Sequence, residues 1–138
     1  LARKDRDHMV ERQGIVPEDG SSRYSYSPGL RCGDVLYVSG QVPIDPATGH
    51  KPEAFADQVR LSLENVRRVA VAAGARLQDA VRVGVYLTDL GNFEAMDAIY
   101  RTFFEEPLPA RTTIRAGLNA VDIEIDAIIA LNREDARS

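Results

Sequence analysis

The stretch AVDIEIDAIIAL, residues 120–131, decides how this chain is read. Val121, Ile123, Ile125, Ala127, Ile129 and Leu131 recur at every second position. That period of two marks a strand with one apolar face. The alternate positions carry Asp122, Glu124 and Asp126 before turning apolar at Ile128 and Ala130. Either this second face meets plain solvent or its acids meet something specific. A half-buried carboxylate in mid-strand, as at Glu124, needs a cation or hydrogen-bond donors.

A cation lies just upstream. ARTTIRA (110–116) reads as a strand that places Arg111, Thr113 and Arg115 on one face. With about three turn residues (GLN, 117–119) before the final strand, the two are expected to pair as antiparallel neighbours, which would set Arg111 and Glu124 a few ångströms apart on one face. Such a pair is a structural ion pair, or Arg111 grips a ligand carboxylate through its planar fork while Glu124 holds a water or a proton.

Further outward, DVLYVSG (34–40) is a strand, and PIDPATGHKP (43–52) is a loop holding His50 with no second ligand nearby. In the following segment, Phe55, Val59, Leu63, Val66, Ala70 and Ala73 recur at helical spacing, with Gly74 as the stop. DAVRVGVYLTDL (79–90) alternates Val81, Val83, Val85 and Leu87 inward as a strand. GNFEAMDAIYRTFF (91–104) is a second helix with Asn92 as its N-cap, broken by EEPLP. The order is two or three strands, helix, strand, helix, strand, strand. That predicts an α+β fold, one sheet with two helices on one face. The other face, carrying Ile128, Ala130 and Tyr86, is left for a subunit partner, so a homo-oligomer is expected.

Composition narrows the function. The 138 residues are 44% hydrophobic and 28% charged, ordinary for one soluble domain. No apolar run approaches the roughly 18 residues of a membrane span, and no n-region followed by an h-region is seen, so no secretion signal, a cytoplasmic location and no membrane partner are expected. The net charge of −4 and the interspersed basic residues argue against nucleic-acid binding. A single cysteine, Cys32, excludes an internal disulfide and a cysteine-based zinc site, and nothing near it would activate the thiol. The acids lack a nearby histidine and calcium-loop spacing, so no metal is expected. Residues 1–14 read as a tail or extension with Met9 as a possible native start, residues 15–133 as the domain, and 134–138 as a C-terminal tail.

Several motifs in order resemble the reactive intermediate deaminase family, the Rid or YjgF-like proteins also labelled translation initiation inhibitors or L-PSP endoribonucleases. They are Tyr26 thirteen residues before Ser39-Gly40-Gln41, then DPATG, SLENV, AAGA, YLTDLGNF, PAR at Pro109–Arg111 and IEID at Ile123–Asp126. The resemblance implies a chorismate-mutase-like fold assembling as a homotrimer with ligand sites in the clefts between subunits. It implies hydrolysis of 2-imino or enamine acids, such as 2-aminoacrylate and 2-iminobutyrate, to 2-keto acids and ammonia, without a cofactor. In that frame Arg111 matches the carboxylate-binding arginine, Glu124 the water-positioning glutamate, Tyr26 the pocket tyrosine and Gly40 a backbone element of the pocket. Thr113 stands where many members carry cysteine, which excludes a thiol mechanism there and leaves its backbone N–H as a ligand contact. Asp97 stands where many have asparagine, and the passage before Arg111 is shorter than usual. These departures keep a non-catalytic trimer that binds small carboxylates or a regulatory partner as the alternative. An RNA-cleaving translation inhibitor is disfavoured by the acidic pI and the lack of a histidine pair.

Overall fold

The final strand has a wholly apolar inner face, and it takes the place in the sheet where such a face is worth most. In the computed structural model, which describes residues 10–18, 20 and 24–132, the strands are β1 (Gln13–Ile15), β2 (Gly29–Cys32), β3 (Val35–Gln41), β4 (Ala80–Leu87), β5 (Ala110–Arg115) and β6 (Ile123–Ala130). The helices are α1 (Phe55–Ala72) and α2 (Phe93–Tyr100). One mixed sheet runs β1-β2-β3-β6-β4-β5. β6 lies between β3 and β4, antiparallel to both, and β5 is the edge strand, parallel to β4.

Ile123, Ile125 and Ile129 are fully buried and Ala127 nearly so. They meet Leu36 and Val38 of β3, Val83, Val85 and Leu87 of β4, and Val59, Leu63, Val66 and Val69 of α1 in one core. Burying one such side chain contributes about 1.5–3 kcal/mol, so a strand with four inward apolar positions gains most between two neighbours and beneath the helices. Residues 1–9 and 133–138, which hold most of the expected tails and Met9, lie outside the described residues. β1 begins at Gln13, inside the segment read as a tail, and pairs with β2 to bury Ile15.

The expected hairpin between the last two strands does not form. β5 pairs with β4, and residues 116–122 carry the chain past β4 to β6. The burial pattern gives the reason: β5 has only intermediate or exposed positions, with two arginines, and suits an edge, where charged side chains also discourage pairing with another chain. Val81 also departs from expectation and is 51% exposed. A register shift between Ala80 and Arg82 lets Ala80 and Val83 both face inward and turns Val81 out, as a bulge does. Gly74, at φ +74°, stops α1 as read. Asn92 makes no side-chain cap; instead Asp89 accepts a hydrogen bond from the backbone N–H of Gly91 one turn earlier.

Two buried polar side chains of α1 fasten the loops around the site. Gln58 donates to the Pro52 carbonyl and to Asp122 Oδ2, and accepts from the Asp122 backbone N–H. Asp122 is therefore tied to α1 ahead of β6 rather than solvated. Asn65 donates to the carbonyls of Val42 and Ile44 at 2.9 and 3.0 Å, holding the chain that follows Gly40.

Candidate functional site

The residues singled out from the sequence fall into two clusters. The first is built on β5 and α2. Arg111 pairs in register with Val83 of β4, so it points to the helix-covered face. Phe93, Asp97 and Tyr100 recur on α2 at spacings of four and three and form one stripe facing it. Arg111 Nη1 donates to Asp97 Oδ1 at 2.8 Å. The guanidinium carbon lies 4.6 Å from the centre of the Tyr100 ring and 5.5 Å from that of Phe93. The planar cation is thus held by one carboxylate and two aromatic rings, the contacts a guanidinium makes best. Its side chain keeps 18% of its surface exposed and that of Asp97 30%. The hydrogen bond from Arg111 holds the Asp97 carboxyl below the usual carboxylate range, and Arg101 adds to the effect.

Thr113 shares this face. Its Oγ1 and the Tyr100 hydroxyl are buried with no hydrogen-bond partner among the described residues. Burial also pushes the Tyr100 phenol up to about 12, so it stays a neutral donor. A buried hydroxyl without a partner costs about 1–3 kcal/mol.

The second cluster is built on β3 and β6. Glu124 pairs in register with Tyr86 of β4 and lies on the face away from the helices. A Cβ added at Gly40 would stand 2.7 Å from Glu124 Cδ, so the glutamate lies directly against that glycine. Tyr26 and Gly40 line one cavity of about 140 Å³ with Pro28, Val42, Ile44 and Asn65. Tyr26 itself is exposed and stacks on Tyr24 with ring centres 6.4 Å apart. Among the described residues no salt bridge reaches Glu124. Burial, reinforced by Asp126, raises its carboxyl above the ordinary range. Asp126, two residues on, accepts from the Tyr86 hydroxyl at 2.8 Å; that bond, with burial, raises the Tyr86 phenol.

Within one chain, then, Arg111 and Glu124 are not neighbours. β4 separates their strands by two sheet spacings, about 9–10 Å, and the two side chains leave opposite faces. The arginine's carboxylate partner is Asp97. Sequence reading identified Asp97 only as a departure and missed Phe93 and Tyr100 as a ring pair. The signal was the 93-97-100 spacing, which sets all three on one face of the second helix. Asn65 was missed as well; an asparagine between Leu63 and Val66 on a buried stripe is a poor helix choice unless its amide has work elsewhere.

A family model described as Endoribonuclease L-PSP matches residues 19–131. The chain belongs to that family, the Rid or YjgF-like proteins. Among L-PSP family relatives, the RutC family protein y4sK of Sinorhizobium fredii is 43% identical over 109 residues, covering 77% of this chain and 86% of that protein. The 2-iminobutanoate/2-iminopropanoate deaminase of Escherichia coli K12 is 38% identical over 108 residues, covering 75% of this chain and 84% of that protein. The crystal structure of the YjgF gene product of E. coli superposes with a TM-score of 0.80 at 32% identity, covering 87% of this chain and 99% of that one. The single mixed sheet with two helices is the fold these L-PSP family proteins share. Among the described residues, no helix is long and apolar enough to cross a membrane.

Proposed function

We propose that this protein hydrolyses 2-imino or enamine acids of the 2-aminoacrylate or 2-iminobutyrate type to 2-keto acids and ammonia. It does so as a cytoplasmic homotrimer whose sites lie between neighbouring subunits. The observation that carries the reading is that Arg111 and Glu124 leave opposite faces of one sheet. A carboxylate-binding arginine and a water-positioning glutamate can serve one substrate only if two copies supply them. Closed rings of identical subunits bring unlike surfaces together in that way. The deaminase name of a 38% identical relative supports the reaction class.

The reaction asks little of the protein. A protonated imine is already electrophilic. Water adds to C2, the C2–N bond breaks, and the iminium acid plus water become the 2-keto acid anion plus ammonium, with atoms and charge balanced. Arg111 holds the substrate carboxylate with the N–H groups that Asp97 leaves. Thr113 offers a donor beside it. Glu124 orients the water, takes its proton and returns it to the departing nitrogen; a carboxyl raised by burial is the better proton carrier near neutrality. Tyr26 and Gly40 shape the wall, and Gly40 leaves room for Glu124. Holding the reactants this way lowers a barrier by up to about 7–11 kcal/mol.

One observation favours a second reading. Asp97 already occupies part of the Arg111 fork, which suits a protein that binds small carboxylates without turning them over. To decide, 2-iminobutyrate is generated in situ and 2-ketobutyrate followed with wild type and Arg111→Ala. Acceleration by wild type alone is expected; 2-ketobutyrate binding without acceleration would replace the enzyme with the binder.

A further inference from the structure

An arginine that receives a ligand carboxylate normally presents net positive charge. Here a second carboxylate is bound to the same guanidinium: Asp97 Oδ1 sits 2.8 Å from Arg111 Nη1, and both side chains reach the surface, at 30% and 18% exposure. The other cation on Asp97, Arg101, is 3.3 Å away with 74% of its side chain in solvent, where its charge is screened. The rings of Tyr100 and Phe93 hold the guanidinium on this stripe of α2, so it cannot readily turn from Asp97 to give a ligand its whole fork.

We propose that Asp97 makes the Arg111 site selective for zwitterions: ligands that carry a cationic nitrogen next to their carboxylate are taken in preference to simple carboxylate anions. The inference rests on Arg111 being the carboxylate site. A ligand carboxylate on the remaining guanidinium N–H groups lies on an edge adjacent to Asp97, and the two anions repel. An iminium or ammonium nitrogen on the ligand's α-carbon offsets that repulsion and finds Asp97 as its acceptor. A keto oxygen there carries partial negative charge and adds to it. Selectivity of this kind comes from the repulsive element as much as from the attractive one. For the proposed reaction the consequence is directional. The substrate is an iminium zwitterion and the product an anion, so Asp97 favours entry of the first and release of the second. The low-lying Asp97 carboxyl keeps this charge in place at neutral pH.

The test compares two ligands of equal chain length, L-2-aminobutyrate (zwitterion) and 2-ketobutyrate (anion), by titration calorimetry at fixed pH and salt. Wild type is expected to bind the zwitterion about tenfold more tightly. The isosteric Asp97→Asn is expected to shrink that ratio about tenfold, chiefly by strengthening 2-ketobutyrate, and to increase product inhibition by 2-ketobutyrate in the hydrolysis assay. Asp97→Ser provides a second variant should the first fold poorly. A ratio unchanged by both variants, or equal weakening of both ligands, would overturn the proposal and leave Asp97 as a brace for Arg111. If wild type fails to hydrolyse 2-iminobutyrate yet the ratio shifts, the proposed reaction falls and the selectivity stands. If it hydrolyses the imine and the ratio does not shift, the selectivity alone falls. If neither ligand binds wild type and the imine is not hydrolysed, both fall.

Discussion

The Arg111 cluster and the Glu124 cluster solve opposite electrostatic problems. Arg111 stands on an edge strand, where a charged side chain is cheap to keep, and its own chain supplies a carboxylate and two aromatic faces for it. Glu124 stands on the central strand of the sheet, half-buried, with no cation from the described residues and a carboxyl raised by that burial. The first cluster compensates its charge within the chain; the second carries a charge that its own chain does not compensate. A site assembled from both would give each what it lacks, since the buried carboxylate gains a cation and the partly occupied fork gains a substrate.

The comparison breaks most decisively in mixed oligomers. Arg111→Ala and Glu124→Gln are each expected to lose about 10³-fold or more in keto-acid release. When the two are unfolded together and reassembled at equal amounts, about a quarter of wild-type activity should return, because each site that draws its arginine from one variant and its glutamate from the other is intact. No recovery would place both residues of a site in one chain, against the opposite faces seen here.

Gly40→Ala probes the second cluster alone. The new methyl would lie 2.7 Å from Glu124 Cδ, so the glutamate must move. A displacement of about 1 Å at a water-orienting group is worth on the order of 10²-fold in turnover, with ligand binding through Arg111 little changed. Unaltered turnover in Gly40→Ala would remove Glu124 from the chemistry.

The smallest effect is on stability. Because burial raises the Glu124 carboxyl, its contribution is favourable at pH below the unfolded-state value and is lost as pH rises through the folded-state value. At pH 7 the ionised group is therefore a net cost. Glu124→Gln should raise the thermal midpoint by about 2 °C at pH 7 in an Arg111→Ala background, and the gain should vanish below about pH 4. In the wild-type background the gain should be smaller if an arginine from a second copy already compensates Glu124. Equal gains in both would show that the two residues do not couple.

Much of this molecule was legible from side-chain pattern alone. The alternation at Ile123–Ile129, the α1 stripe from Phe55 to Ala73 and the Gly74 stop are local facts, set by the periods of strand and helix, and they gave the element order and the α+β class. The placement of Arg111, Thr113 and Arg115 on one face of their strand followed from the same period. Strand order did not follow. Residues 116–122 allow either a hairpin or a passage across β4, and the choice depends on total burial: β6 goes between two apolar strands and β5 goes to the edge. That non-local decision moved Arg111 to the face opposite Glu124 and gave it Asp97 as a partner. Sequence determines what each strand can bury; only the packed sheet decides which strands stand side by side, and hence which charges meet.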